Sequence, residues 1–209
     1  MEVFQLEVSL YEDMAALWNS ALHANNLAER HGASKLDVKN AGALLRATAK
    51  ATFNLLEGYV NGLASDILLT KSITDEERAK LQEWDSARSR ARHLSLRDKL
   101  LQYPKIAIAA SHPPIDDAAT PSMRNVIQME VKLRHALIHP RPEWHLSDRV
   151  EFRERAFFEL SLSDVGRLCD DVIDLIERIA GVVGNEYGDV SLWLFHRAPG
   201  GFFPESTFF

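Results

Sequence analysis

Residues 35–70 read KLDVKNAGALLRATAKATFNLLEGYVNGLASDILLT, and the spacing of their apolar side chains decides the fold class. Leu45, Ala49, Phe53, Leu56, Val60, Leu63 and Ile67 recur at steps of four and three, the period of one face of an α-helix. Lys50, Asn54, Glu57 and Asn61 trace a polar stripe along another face. Ser34 stands just ahead, with Asp37 three residues on. In that capping-box arrangement a hydroxyl and a carboxylate satisfy free backbone N–H groups of the first turn. The stretch therefore predicts one long helix. Gly58 and Gly62, four apart and on one face, leave room for a neighbouring helix to approach.

Upstream, Leu10, Met14, Leu17, Ala21 and Leu22 predict a first helix over 8–31, with Gly32 as its stop. Downstream, Thr74 and Glu77 form a second capping box. They open a third helix expected over 75–102, rich in Arg88, Arg90, Arg92 and Arg97, with His93 and Lys99. Pro104, Pro113 and Pro114 mark 103–120 as a loop. Thr120 with Pro121 behind it is a favoured start for a fourth helix, whose buried face is Val126, Met129, Leu133, Ala136 and Leu137. Pro140 and Pro142 end that helix just after His139. Alternation at Val150/Phe152 and Phe158/Leu160 allows a short hairpin within 141–160. Ser161 or Ser163 caps a fifth helix over 163–183, lined by Val165, Leu168, Val172, Leu175, Ile179 and Val182 and stopped by Gly184. The aromatic tail 185–209, with Trp193, Phe195, Phe202, Phe203, Phe208 and Phe209, is expected to pack on the bundle or in a dimer interface. The expectation is an all-α, up-and-down bundle of four to five main helices over 1–184, followed by that tail.

A chain of 209 residues, 46% hydrophobic and 26% charged, can bury a substantial core and does not have the composition of a disordered protein. No apolar run is long enough to span a bilayer, and the first ten residues lack the basic start and apolar stretch of a secretory signal. A cytoplasmic location, away from membranes, is expected. The lone Cys169 cannot form an intrachain disulfide. Beside Leu168 and Val172 it reads as a small buried apolar residue, and Asp170 and Asp171 disfavour a thiolate. Net charge is −6, so the surface as a whole does not invite nucleic acid. The distribution is uneven. Residues 71–155 hold 16 Lys/Arg against 13 Asp/Glu and five of the eight histidines, which permits a local anion site or simply a solvated helix face.

Several familiar chemistries have no starting point. There is no Gly-rich phosphate loop, dinucleotide fingerprint or nucleophile elbow. His135 and His139 are four apart, as in a zinc-binding helix, but Ala136 stands where a metalloprotease needs glutamate. No metal and no cofactor is expected. What remains is Lys132-Leu133-Arg134-His135-Ala136-Leu137-Ile138-His139-Pro140, a guanidinium and an imidazole near a proline-terminated helix end. On an ideal helix, residues five apart point about 140° from each other. Arg134 and His139 therefore meet on one ligand only through a distorted helix end or a second chain. The plainer alternatives are a surface ion pair for Arg134 and a dipole-favoured helix-end role for His139.

Arg134-His135-Ala136-Leu137-Ile138-His139 resembles the signature of the HEPN superfamily, an arginine, a polar neighbour and a histidine after four to six intervening residues. Glu57-Gly58-Tyr59-Val60-Asn61 is similar to a Glu-x-Tyr-x-Asn pattern on a long helix of several HEPN-like families, and the resemblance spans 35–180. It implies a helical bundle and, for many members, a metal-independent endoribonuclease used as a toxin or antiviral effector. It also implies a homodimer whose two motifs share one site, an RNA substrate and, in toxin systems, a cognate antitoxin protein. On this reading Arg134 and His139 are catalytic, and Lys132, His135 and Arg141 contact substrate. Glu57 and Asn61 support Arg134 or His135 from behind, or form a polar network that keeps helices in register. Some members carry a tyrosine two positions after the histidine, modified by a partner enzyme; here that position is Arg141. A catalytically silent HEPN module that binds a nucleotide or a protein is the competing expectation.

Overall fold

The computed structural model describes residues 4–85, 88–138 and 159–184, with the backbone course alone at 4–5 and 134–138. Six helices and one minimal hairpin make up the described chain. They run α1 (Phe4–Ala28), α2 (Lys35–Thr70), α3 (Asp75–Leu81), β1 (Trp84–Asp85), β2 (Arg90–Ala91), α4 (Leu96–Ala107), α5 (Pro121–Ile138) and α6 (Leu162–Val183). The all-α bundle expected from periodicity is the observed architecture. The hairpin expected within 141–160 and the packing of the 185–209 tail lie outside the described residues.

α2 is the central element because it is apolar on more than one side. The whole expected stripe, Leu45 to Ile67, is buried. Leu55, Tyr59 and Ala64, outside that stripe, are buried as well. α1, α4 and α6 all pack on it. The Ser34 hydroxyl accepts from the Asp37 N–H at 3.2 Å while the Asp37 carboxylate accepts from the Ser34 N–H at 2.8 Å, so the expected capping box is made. The polar stripe Lys50, Asn54, Glu57, Asn61 is exposed along its length.

α1 returns antiparallel along α2 after the turn at Gly32, whose φ of +87° suits glycine. Its buried line is Tyr11, Met14, Trp18 and Ala21; Leu10, Leu17 and Leu22 lie half-buried at the margins, so the face is rotated from the leucine pattern. The large aromatic Trp18 takes the centre and leaves the leucines to seal the edges. The two glycines of α2 set how near the helices come. A β-carbon at Gly58 would lie 2.5 Å from Leu10 Cδ1, and one at Gly62 would meet the Glu7 carboxylate. Glu7 is buried there, and its Oε2 has no hydrogen-bond partner among the described residues. Burial, with Asp66 nearby, pushes its carboxyl above the ordinary value.

α6 closes the other side. Ser161, rather than Ser163, is the N-cap and forms a capping box with Asp164; Gly184, φ +77°, follows the last turn. Val165, Leu168, Val172, Leu175 and Ile179 are buried as expected, with Ile173 and Ile176 beside them. Cys169 is fully buried. Its Sγ lies 3.2 Å from Thr52 Oγ1 on α2, and burial pushes the thiol up to about 12, which leaves it no thiolate at neutral pH.

The single third helix expected over 75–102 is a correction. The chain leaves α3 after Leu81 and turns through Glu83 (φ +51°). It forms the hairpin with Trp84 opposite Ala91, passes Ser89 (φ +47°) and begins again at the N-cap Ser95. The cause is compositional. Between Leu81 and Leu94 only Trp84 is a large apolar residue, so a continuous helix there would have had no stripe to bury. Ser95 and Asp98 reproduce the cap spacing already seen at 34/37 and 74/77. The expected loop 103–120 shortens to 108–120. Pro104 sits inside the last turn of α4, held by the burial of Tyr103, Ile106 and Ala107 around it, and Ala109 (φ +51°) completes the exit.

Candidate functional site

α5 starts at Pro121, and the Arg124 N–H bonds to the Thr120 carbonyl at 3.1 Å, the first-turn bond of a helix entered through Thr120. Met123, Val126 and Leu133 are buried against α6, and Met129 is half-buried. Arg124, Gln128, Val131 and Lys132 are all exposed. The helix is anchored through Leu133 and continues through Arg134 and His135 to Ile138. The backbone is helical without a break through Ile138, so no distortion arises before that point. His139 and Arg141 lie outside the described residues, as do the side chains of Arg134 and His135.

A polar cleft of about 220 Å³ runs between α5 and α6 toward this helix end. Asn125, Gln128, Met129 and Lys132 line it from α5, at the i, i+3, i+4, i+7 spacing of one helix face; Arg167 and Asp171 face them from α6. Asn125 donates to Asp171 at 3.1 Å. Burial nevertheless keeps the Asp171 carboxyl above its ordinary value, against the lowering effects of Asn125 and Arg167. Lys132 is thus an exposed cation at the mouth of a mixed-charge cleft.

Asn61 faces a different neighbour. Its Oδ1 accepts from Lys99 Nζ at 3.1 Å, and the same ammonium pairs with Glu83 Oε1 at 2.5 Å. Lys99 is only 8% exposed. Glu83 Oε2 takes a further bond from the Leu94 N–H at 2.9 Å, and His93 Nδ1 stands 3.7 Å away. Partial burial opposes ionisation of Glu83. Lys99, the Leu94 N–H and His93 outweigh it and hold the carboxyl below its ordinary value. Asn61 therefore belongs to a polar network joining α2, the hairpin and α4. Glu57, one turn earlier, is exposed. A contact of Glu57 or Asn61 with the side chains of Arg134 or His135 lies outside the described residues.

Lys99 and Glu83 were not singled out as partners in the sequence. Both sit in a charge-rich stretch, and no periodicity separates a buried lysine from a solvated one there. The arginines of 88–97 do not form one helix face. Arg88, Arg90 and Arg92 belong to the hairpin, whereas Arg97 is committed to Asp117 through two bonds of 3.0 Å. Among the described residues no helix is long and apolar enough to cross a membrane. Comparison with known families, curated proteins and solved structures yields no match to this chain.

Proposed function

We propose that this chain is a metal-independent endoribonuclease of HEPN type, acting as a homodimer in the cytoplasm in a toxin or phage-defence role. The reading is supported by the position of Arg134–Ile138, the first five residues of the motif, at the end of α5, a helix whose apolar face is anchored in the core up to Leu133. Because α5 is unbroken through Ile138, the angular gap between positions 134 and 139 is not closed by bending within the described helix. A second copy is the simpler way to complete the site. Val131, 52% exposed and three residues before Arg134, offers an apolar contact for that copy.

The chemistry follows from the residue types. One His139 imidazole takes the proton of an RNA 2′-hydroxyl, and the oxygen attacks the adjacent phosphorus. The bond to the 5′-oxygen breaks, and His139 of the second copy returns a proton to that leaving oxygen. The products are a 2′,3′-cyclic phosphate and a 5′-hydroxyl, with no metal in the balance. Arg134 stabilises the added negative charge of the phosphorane, while Lys132, His135 and Arg141 hold flanking phosphates. A second reading, a silent module that binds a nucleotide or a protein partner, is favoured by one observation. Asp164 and Asp171 border the cleft beside Lys132, and their charge repels phosphate.

Incubation of the purified chain with RNA in EDTA separates the two. Wild-type protein is expected to release fragments ending in 2′,3′-cyclic phosphate, and His139→Ala to lower the rate by about 10²–10⁴-fold. Equal cleavage by both proteins, or none by the wild type, removes the catalytic reading.

A further inference from the structure

The seam between α1 and α2 buries a carboxylate without a compensating charge among the described residues. Glu7 lies on the face of α1 that carries Tyr11, Met14 and Trp18, and it is 9% exposed. Its Oε2 has no hydrogen-bond partner among the described residues. The carboxylate occupies the space that a β-carbon at Gly62 would need, so the backbone of α2 passes directly beside it. The groups around it do not offset its charge. From α2 it faces Asp66, one turn beyond Gly62 and itself half-buried, and the aromatic Tyr59. No cation of α1, α2, α4 or α6 acts on it among the described residues. Lys71, the next cation along the chain from Asp66, donates instead to the Ala107 carbonyl on α4.

We infer that Glu7 is a proton-operated latch: the first turns of α1 seat on α2 while its carboxyl is protonated and release as it ionises. The geometry gives the reason. A neutral carboxyl can be buried beside Gly62 at the cost of an unmade hydrogen bond. An ionised one there has neither water nor a counter-ion, and it recovers hydration only when the turn lifts away. Asp66 adds to the effect, because a second negative charge one turn along repels the first. Burial is the main cause that pushes both carboxyls above their ordinary values. For such a group the stabilisation is complete below the unfolded value, about 4.3 for glutamate, and is lost as pH rises through the raised folded value. Packing sets the hinge. Met14 and Trp18 are fully buried and fix the rest of α1. Leu6 is 60% exposed and Val8 and Leu10 are only half-buried, so few apolar contacts oppose the lifting of the turns before Tyr11. Acid therefore closes this end of the seam and a neutral medium loosens it. The latch is independent of the α5 motif, and neither reading depends on the other.

The test is amide hydrogen exchange on the full chain across a pH series, corrected for the intrinsic pH dependence of exchange, together with an NMR titration of the Glu7 carboxyl. In the wild type the opening equilibrium of residues 6–11 is expected to rise by up to about tenfold per pH unit for a single proton released, between the unfolded and the folded values. Amides of α6 should keep their protection over the same range. Glu7→Gln, neutral at every pH and close in shape, should hold those turns closed and remove most of the rise. Asp66→Asn should move the Glu7 midpoint to lower pH by removing the like charge. Glu12→Gln, on the exposed side of the same helix, should leave the opening profile within about twofold of wild type. A Glu7 midpoint at or below about 4.3 overturns the inference. So does a Glu7→Gln profile as steep as that of the wild type, or a loss of protection shared equally by α6, which would make the transition global unfolding.

Discussion

α2 and the segment 75–107 are nearly equal in length, and both open with a capping box, yet one is a single helix and the other is two helices and a hairpin. The difference lies in what each has to bury. α2 places an apolar side chain at every turn, and α1, α4 and α6 pack over it. Residues 82–95 have almost nothing to bury, and the chain there is held instead by polar bonds to Lys99 and Glu83. Burial is non-directional and tolerates local rearrangement, whereas a polar network works only when every member is in place. The first region should therefore fail globally when damaged, and the second locally.

Leu56→Ala, a fully buried position on α2, tests the first half of that contrast. It should lower global stability by about 2–5 kcal/mol, read as a lower urea midpoint with an unchanged m-value. A loss below about 1 kcal/mol would show that α2 does not carry the core.

Lys99→Ala tests the second half. It leaves the Glu83 carboxylate without its ammonium, at about 1–3 kcal/mol, and hydrogen exchange should speed up over 83–99 while α2 amides stay protected. The effect carries a pH signature. Glu83 is held below its ordinary value in the folded chain, so its contribution is present above the unfolded pKa of about 4.3 and fades as pH falls through the lower folded value. Wild-type and Lys99→Ala proteins should converge in acid; a gap that widens there would assign the effect to another group.

Ser95→Ala is the smallest perturbation of the three. The Ser95 hydroxyl accepts from the Asp98 N–H at 3.1 Å, and its loss should cost about 1 kcal/mol, read as a modest fall in thermal midpoint. If exchange in α3 were to accelerate as much as in α4, the two helices would be one cooperative unit despite the hairpin between them.

The legible parts of this molecule are those where one signal dominates. Ser34, Gly32 and the Leu45–Ile67 stripe define α1, α2 and the turn between them, because capping, positive φ and amphipathic burial all act over a few residues. The stretch 75–102 misleads because a strong N-terminal cap at Thr74 is followed by residues with good helix propensity and no core face. The cap at Ser95 is the signal that the helix restarts. For the candidate site, the Arg134–His139 pattern and the start of that pattern on an amphipathic helix are readable from spacing alone. The partnership of Asn61 with Lys99 is not, since the two are 38 residues apart and nothing local marks that lysine as buried.

Periodicity, caps and glycines by themselves determined an all-α bundle, the extent of α2, the stop of α6 and the burial of Cys169. These are consequences of local backbone chemistry and of which side chains leave water. Only the tertiary structure decided that the arginine-rich stretch folds into a hairpin, that Lys99 is buried against Glu83 and Asn61, and that α1 seats Glu7 over Gly62. Each of those depends on which helix lies opposite. The energy of a charge or a polar group is set by neighbours distant in sequence, whereas the tendency to form a helix is set mostly by residues one turn away.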